Sequence, residues 1–197
     1  MKKKLIHKYF HLLFNFKKYL YKKILSNINP KGKYILSQPI LFLGNGNILI
    51  GDNSELGYFP SPYFYSGYMH IEARSSDSII EIGAKTHINN NACIISDGSK
   101  IAIGSNCLIG YNFHAYDTDF HGINPKKRDQ PSPAQPVTIG DNVFIGSNVM
   151  IMKGVSIGNN CTIAAGSIVT KSFPDNVIIA GNPAKIIKEV GNELTIS

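Results

Sequence analysis

Two of the six histidines, His114 and His121, fall inside residues 111–136, a stretch that also carries Asp117 and Asp119. Imidazole titrates near neutral pH, so either ring could take the proton of a hydroxyl. A nearby carboxylate or backbone carbonyl could then fix which ring nitrogen holds the hydrogen. The stretch has no repeat of its own, and a segment of that length inside a compact domain is usually functional. Residue types alone leave open which of the two rings does the work.

The elements that must hold this loop are written in a repeat of six. From Val137 to Lys171, Ile139, Ile145, Ile151, Ile157, Ile163 and Val169 share one phase, and Val137, Val143, Val149, Val155, Cys161 and Ser167 sit two residues before them. Six residues advance a helix by roughly 240°, so these side chains would never line one helical face. A continuous strand would keep the phase, but Gly140-Asp141-Asn142, Gly146-Ser147-Asn148 and Gly158-Asn159-Asn160 insert turn chemistry. Very short strands joined by tight corners remain, with both apolar positions pointing inward. Three hexads close a triangular coil and stacked coils bury an aliphatic column, giving an all-β solenoid, a parallel β-helix of hexapeptide repeats. The same phase runs through Ile82, Ile88 and Ile94, slips by three residues across Ser96-Asp97-Gly98-Ser99, and resumes at Ile103 and Ile109. The slip pushes the Asp97 carboxylate off the regular surface.

The 197 residues read as one domain, and the net charge of +7 is concentrated at its beginning. Ten lysines and no acidic residue lie within residues 1–33, which leaves the remainder at −3. Residues 2–25 read as a basic amphipathic helix, with Leu5, Tyr9, Leu12, Leu13, Phe16, Leu20 and Ile24 on one side and Lys4, Lys8, His11, Asn15, Lys18 and Lys22 on the other. The apolar runs are too short and too often broken by lysine to span a bilayer or form a signal segment, so a cytoplasmic protein is expected. Residues 1–25 would then cap the open end of the first coil, lie on the inner membrane face, or do both. No nucleic-acid-binding motif accompanies the charge, and nucleic acid is not expected as a partner. Three cysteines make no disulfide framework, and Cys107 and Cys161 occupy the small inward position of the repeat.

The segment Tyr58 to Tyr65 breaks the repeat and is read as packing against a neighbour or a subunit, ahead of stacking on a sugar ring. The expected boundaries are residues 1–33 for the basic helical segment, 34–180 for the solenoid with the loop 111–136 protruding, and 181–197 for a short C-terminal helix and tail. Asn182 would be the N-cap of that helix and Pro183 its first residue.

These motifs resemble the left-handed β-helix acyltransferases, and more narrowly the galactoside and maltose acetyltransferases and the O-acetyltransferases of surface polysaccharides. The resemblance covers roughly residues 80–190. It is most specific where Gly166-Ser167-Ile168-Val169-Thr170-Lys171 is followed by Gly181-Asn182-Pro183-Ala184-Lys185. It implies the left hand, which the usual rule for parallel crossovers would not give. It also implies a homotrimer with each site between two solenoids, acetyl-CoA as co-substrate, and no metal. By position it makes His121 the general base, oriented by Asp119 or a backbone carbonyl, with His114 as the runner-up on the substrate side. It places the Ser147 N–H near the thioester carbonyl, Ala165 on the pantetheine groove, and Thr170, Lys171, Lys185 and Lys188 toward the nucleotide and its phosphates. Asn89 and Asp97 fall on the acceptor hydroxyls. Lysines suit phosphates and small residues suit a narrow groove, so the chemistry agrees.

The basic N-terminus and the aromatic break depart from enzymes that act on small free disaccharides. They fit relatives that modify a surface glycan or its lipid-linked precursor. The reaction the resemblance implies is direct transfer of acetyl from acetyl-CoA to a sugar hydroxyl. Its rivals are N-acetylation of a nucleotide-linked amino sugar, a scaffold without catalysis, and a metal enzyme resembling the γ-class carbonic anhydrases. The last would use His87, His114 and His121, whose spacing does not match that family.

Overall fold

The computed structural model describes residues 2–190, and residues 191–197 of the expected tail lie outside the described residues. The chain winds into a left-handed parallel β-helix with three flat faces. The first face stacks Ile35–Leu36, Glu55–Leu56, His87–Ile88, Leu108–Ile109, Phe144–Ile145, Thr162–Ile163 and Val177–Gly181. The second stacks Ile40–Gly44, Met69–Ala73, Cys93–Ser96, His114–Tyr116, Met150–Ile151 and Ile168–Val169. The third stacks Asn47–Ile50, Ile79–Ile82, Lys100–Ile103, Val137–Ile139 and Ser156–Ile157.

Both phases of the hexad point inward, as the spacing requires. The isoleucines from Ile139 to Ile163 and the valines from Val137 to Val155 are buried in one column, and Cys107, Cys161 and Ser167 fill its small positions. Each fully buried aliphatic side chain contributes on the order of 1.5–3 kcal/mol, so the column carries the fold. The corners are made by asparagine in the left-handed region, Asn112, Asn142, Asn148 and Asn160 having φ between +55° and +59°. Asparagine tolerates that conformation because its short amide can bond locally. Here the amides also bond from coil to coil, Asn91 to Asn112 at 3.0 Å and Asn112 to Asn148 at 2.9 Å. Corner glycines are forced by close stacking: a methyl group on Gly110 would meet the backbone nitrogen of Ser147 at 2.6 Å.

At the N-terminus, helix α1 (Lys2–Leu20) runs into a π-helical turn, Tyr21–Leu25. The open end of the first coil is covered by the segment that follows, where Asn27 and Ile28 both donate to the Phe42 carbonyl and Lys31 bridges to Leu49. Helix α1 is fastened elsewhere. Phe14 inserts against Phe64 and Tyr65, with ring centroids at 4.6 and 5.2 Å, so the aromatic break at 58–65 does serve packing. Asn90, fully buried, pins that segment by bonding the backbone of Tyr58 and Pro62.

The short C-terminal helix expected over residues 181–190 is absent. Ala184–Glu189 is a strand that turns back antiparallel on Val177–Gly181, with Asn182-Pro183 as the two-residue turn between paired Gly181 and Ala184. Asparagine and proline serve a tight turn as well as a helix start. The β-branched Ile178, Ile179, Ile186 and Ile187 favour the strand once Thr162–Ile163 offers an edge to extend.

Candidate active site

The second face carries a cluster of outward polar side chains. Parallel register places His70, Cys93 and His114 in one row and Glu72, Ile95 and Tyr116 in the next. His114 Nδ1 lies 2.8 Å from the Tyr116 hydroxyl, and burial lowers the pKa of this ring, which favours its neutral form. Burial raises the pKa of Tyr116, and Cys93 beside it adds to the effect. His70 Nε2 lies 2.9 Å from Glu72, whose other oxygen takes Arg74 Nε at 2.8 Å. Arg74 holds the Glu72 carboxyl below its ordinary value, and Glu72 in turn raises the Arg74 guanidinium. Arg74 also reaches Asp97 at 3.3 Å, which joins that corner to the cluster.

Immediately after Tyr116 the chain leaves the coil, and the departure is fixed by a buried carboxylate. Asp117 accepts from the Asp97 N–H at 2.7 Å, the Ser96 hydroxyl at 2.6 Å and the Ser99 N–H at 3.1 Å. The three-residue slip seen in the sequence is thus the corner that Asp117 organises. Phe120 follows with φ +61°, a conformation that costs a bulky residue roughly 1–2 kcal/mol. Its ring is held against Tyr116 at 5.5 Å and under the Arg74 guanidinium at 5.2 Å. Strain of this kind persists only where the surroundings impose it. Here it sets the residue before His121.

His121 is exposed, its N–H donating to the Asp119 carbonyl at 2.7 Å and its Nδ1 lying 3.3 Å from the Arg128 carbonyl oxygen. A carbonyl only accepts, so in the neutral ring this contact favours the tautomer with the hydrogen on Nδ1 and the lone pair on Nε2. The Asp119 carboxylate does not touch the His121 ring. It pairs with Lys153 and accepts from Ser132 at 2.9 Å, and Lys153 holds its carboxyl below the ordinary range. Asp119 therefore fastens the loop to the solenoid, and the carbonyl is the ring's partner because Gly122 and Arg128 close the loop between them. Gly122 N–H donates to the Arg128 carbonyl at 3.1 Å and the Arg128 guanidinium returns a bond to the Gly122 carbonyl at 3.0 Å.

Of the expected acceptor residues, Asp97 and His114 lie on the same face as this loop. Asn89 does not: it lines a groove on the first face with Tyr58, His87, Leu108 and Phe144, and its side-chain oxygen accepts from the N–H of Asn90. Of the residues expected on the coenzyme side, Ser147 and Ala165 stack with Gly166 at the corner between the first and second faces, Gly166 donating to the Ser147 carbonyl at 2.9 Å. Ala165 and Gly166 are exposed, and a methyl group on Gly166 would meet nothing within 4 Å. This small-residue ledge fits a thin pantetheine arm. Thr170 and Lys171 are exposed just beyond the second-face strand, while Lys185 and Lys188 project from the terminal hairpin. The ledge lies where chain enters the second face and the His121 loop where it leaves, so a single chain carries the two on different edges.

Among the described residues no three His, Cys, Asp or Glu side chains stand together as a metal site. His87 sits on the first face 3.7 Å from Glu55, away from both His114 and His121. Burial raises the thiols of Cys93, Cys107 and Cys161, so none is a ready thiolate nucleophile.

Sequence reasoning missed Arg74, Glu72, Tyr116, Lys153 and Arg128. The signal was present for the first three, as outward positions in register on one face. Lys153 and Arg128 reach the site only through loop closure.

The fold is a solenoid of the hexapeptide class. The model of the hexapeptide repeat of succinyl-transferase matches residues 136–171. A protein of Saccharomyces cerevisiae named as an acetyltransferase is 45% identical over 143 residues, 72% of this chain and 67% of its own length. The chain therefore belongs to the hexapeptide-repeat acetyltransferase family. A galactoside acetyltransferase solved in complex with coenzyme A superposes with a TM-score of 0.55 at 26% identity, over 93% of this chain and 82% of that one. The polySia-specific acetyltransferase NeuO gives 0.60 at 25% identity, over 87% and 84%. The chain spans 67%, 58% and 55% of the length of the first curated relatives it matches.

Proposed function

We propose that the protein is an acetyl-CoA-dependent O-acetyltransferase that modifies a sugar hydroxyl of a surface glycan or its precursor. The carrying observation is the His121 ring, whose Nδ1 faces the Arg128 carbonyl and whose Nε2 is thereby left to accept a proton. In the proposed reaction Nε2 takes the hydroxyl proton as the sugar oxygen attacks the thioester carbonyl. The C–S bond then breaks, acetyl stays on the sugar, and the imidazolium returns the proton to the leaving thiolate. Direct transfer is favoured because the three cysteines have raised pKa values and cannot readily carry an acyl group.

The acceptor would lie on the second face, beside Arg74, Asp97, His114 and Tyr116. The coenzyme would run along the Ser147–Ala165–Gly166 ledge with its phosphates toward Lys171, Lys185 and Lys188. The Ser147 N–H is the candidate donor to the oxyanion, an interaction that contributes roughly 3 kcal/mol in comparable sites. Ledge and histidine lie on different edges of one protomer, so a complete site would take each from a different chain of a homotrimer. A sugar acceptor is supported by the galactoside and polysialic acid enzymes to which the chain is similar.

The test is thiol release from acetyl-CoA over a panel of neutral and acidic glycans, with amino sugars alongside. Turnover on hydroxyl-only glycans is the expected result. Turnover confined to free amines would overturn the proposal.

A further inference from the structure

Helix α1 presents its apolar stripe to solvent. At about 100° per residue, Tyr9, Leu12, Leu13, Phe16 and Tyr19 fall within an arc of about 120°. All five are between 48% and 66% exposed. Phe14, which fastens the helix to the solenoid, lies about 160° away from the middle of that arc and is 7% exposed. The stripe therefore does not cap the solenoid, whose first coil is already covered by Asn27, Ile28 and Lys31.

What covers it can be argued from charge. Residues 1–33 carry ten lysines and no acid, against −3 on the rest of the chain. Two copies of this helix laid stripe to stripe would bring like charges together. An anionic lipid surface would attract them and accept the apolar side chains. Tyr9 and Tyr19 have apolar rings with polar ends, the chemistry favoured at the level of lipid headgroups. No described helix is long and apolar enough to cross a membrane, so the geometry is that of a helix lying flat.

We propose that helix α1 docks the protein on anionic bilayers, with Tyr9, Leu12, Leu13, Phe16 and Tyr19 inserted between headgroups. The proposal is independent of the reaction. It would set the second-face site close to acceptors carried on lipid.

Full-length protein is sedimented with vesicles of phosphatidylcholine, with and without phosphatidylglycerol. Binding is expected to be at least about tenfold stronger on the anionic vesicles and to weaken in high salt. Leu12→Ser with Phe16→Ser should cut that binding about tenfold or more, while thiol release with a soluble acceptor and the oligomeric state in analytical ultracentrifugation stay as in the parent. Because the chain has no tryptophan, Phe16→Trp supplies a single fluorophore. Its emission should shift to the blue on anionic vesicles and be quenched by lipids brominated near the headgroup. Equal binding to both vesicle types, or none, overturns the proposal. A serine double variant that changes oligomeric state while the parent leaves vesicles unbound assigns the stripe to a second copy. Binding to a soluble polyanionic glycan in place of vesicles overturns it as well.

Discussion

His121 Nδ1 sits 3.3 Å from the carbonyl oxygen of Arg128, seven residues further along the same loop. The contact makes the ring's tautomer a property of the loop backbone, because a carbonyl can only accept. His121→Ala is expected to lower kcat by about 10²–10⁴, the usual contribution of a positioned general base. The KM for acetyl-CoA should change little, since the ring's task is to take a proton. Steady-state thiol release over a range of both substrates makes the separation, and an unchanged kcat would remove His121 from the mechanism.

Gly122 is the loop's tightest point. A methyl group there would run into the carbonyl oxygens of Lys127 and Gln130, so Gly122→Ala must open the turn that brings Arg128 to His121. Residues 123–131 of the loop are exposed, and the aliphatic column does not depend on them. The variant is expected to lose about tenfold or more in kcat while its thermal midpoint stays within a few degrees of the parent. A large drop in midpoint would mean that the loop also supports the coils.

Asp119 carries a pH dependence whose sign follows from its partners. The Lys153 ammonium, aided by the Ser132 hydroxyl, lowers its pKa in the folded chain below the unfolded value, which is near 4. The unfolded chain then binds this proton more readily. The pair's contribution is present above the unfolded pKa and is lost as pH falls through the folded one. Asp119→Asn should destabilise by about 0.5–1 kcal/mol at pH 7 and by little at the lowest pH where the fold survives, as read from urea midpoints. Equal destabilisation at both pH values would show that the loss comes from packing.

Much of this was legible before any coordinates. The Ile and Val phases gave the inward column because a period of six suits only short strands and corners, and Asn142, Asn148 and Asn160 marked those corners by their tolerance of positive φ. Asp97 was visible as the product of a register slip. The terminal hairpin was not, because Asn182-Pro183 suits a turn and a helix start equally and only the edge at Thr162–Ile163 decides between them. The partner of His121 was only half legible: spacing offers Asp119 or a backbone carbonyl, and the carbonyl of Arg128 is the one in contact because Lys153 from the next coil takes the Asp119 carboxylate. The face of helix α1 that meets the solenoid also escaped periodicity, since Phe14 lies off the apolar stripe and is buried by the aromatic segment at 58–65.

Asp117 should be the most costly polar residue to change, because one buried carboxylate satisfies three donors. Its two oxygens take the N–H groups of Asp97 and Ser99 and the hydroxyl of Ser96. Asp117→Asn keeps the volume but turns one oxygen into a donor, which must then face a backbone N–H or the Ser96 hydroxyl. Either choice leaves a buried donor without an acceptor, at a cost of about 1–3 kcal/mol. Ser96→Ala removes only one of the three bonds and should cost less, roughly 0.5–1.5 kcal/mol. Because Asp117 fixes the point where chain departs toward His121, the asparagine variant should lose kcat as well as stability. Gly122→Ala, acting further out, should lose kcat alone. Urea midpoints and thiol release on the three variants separate the two effects. An Asp117→Asn protein with the parent's midpoint would show that the corner at 96–99 holds without the carboxylate.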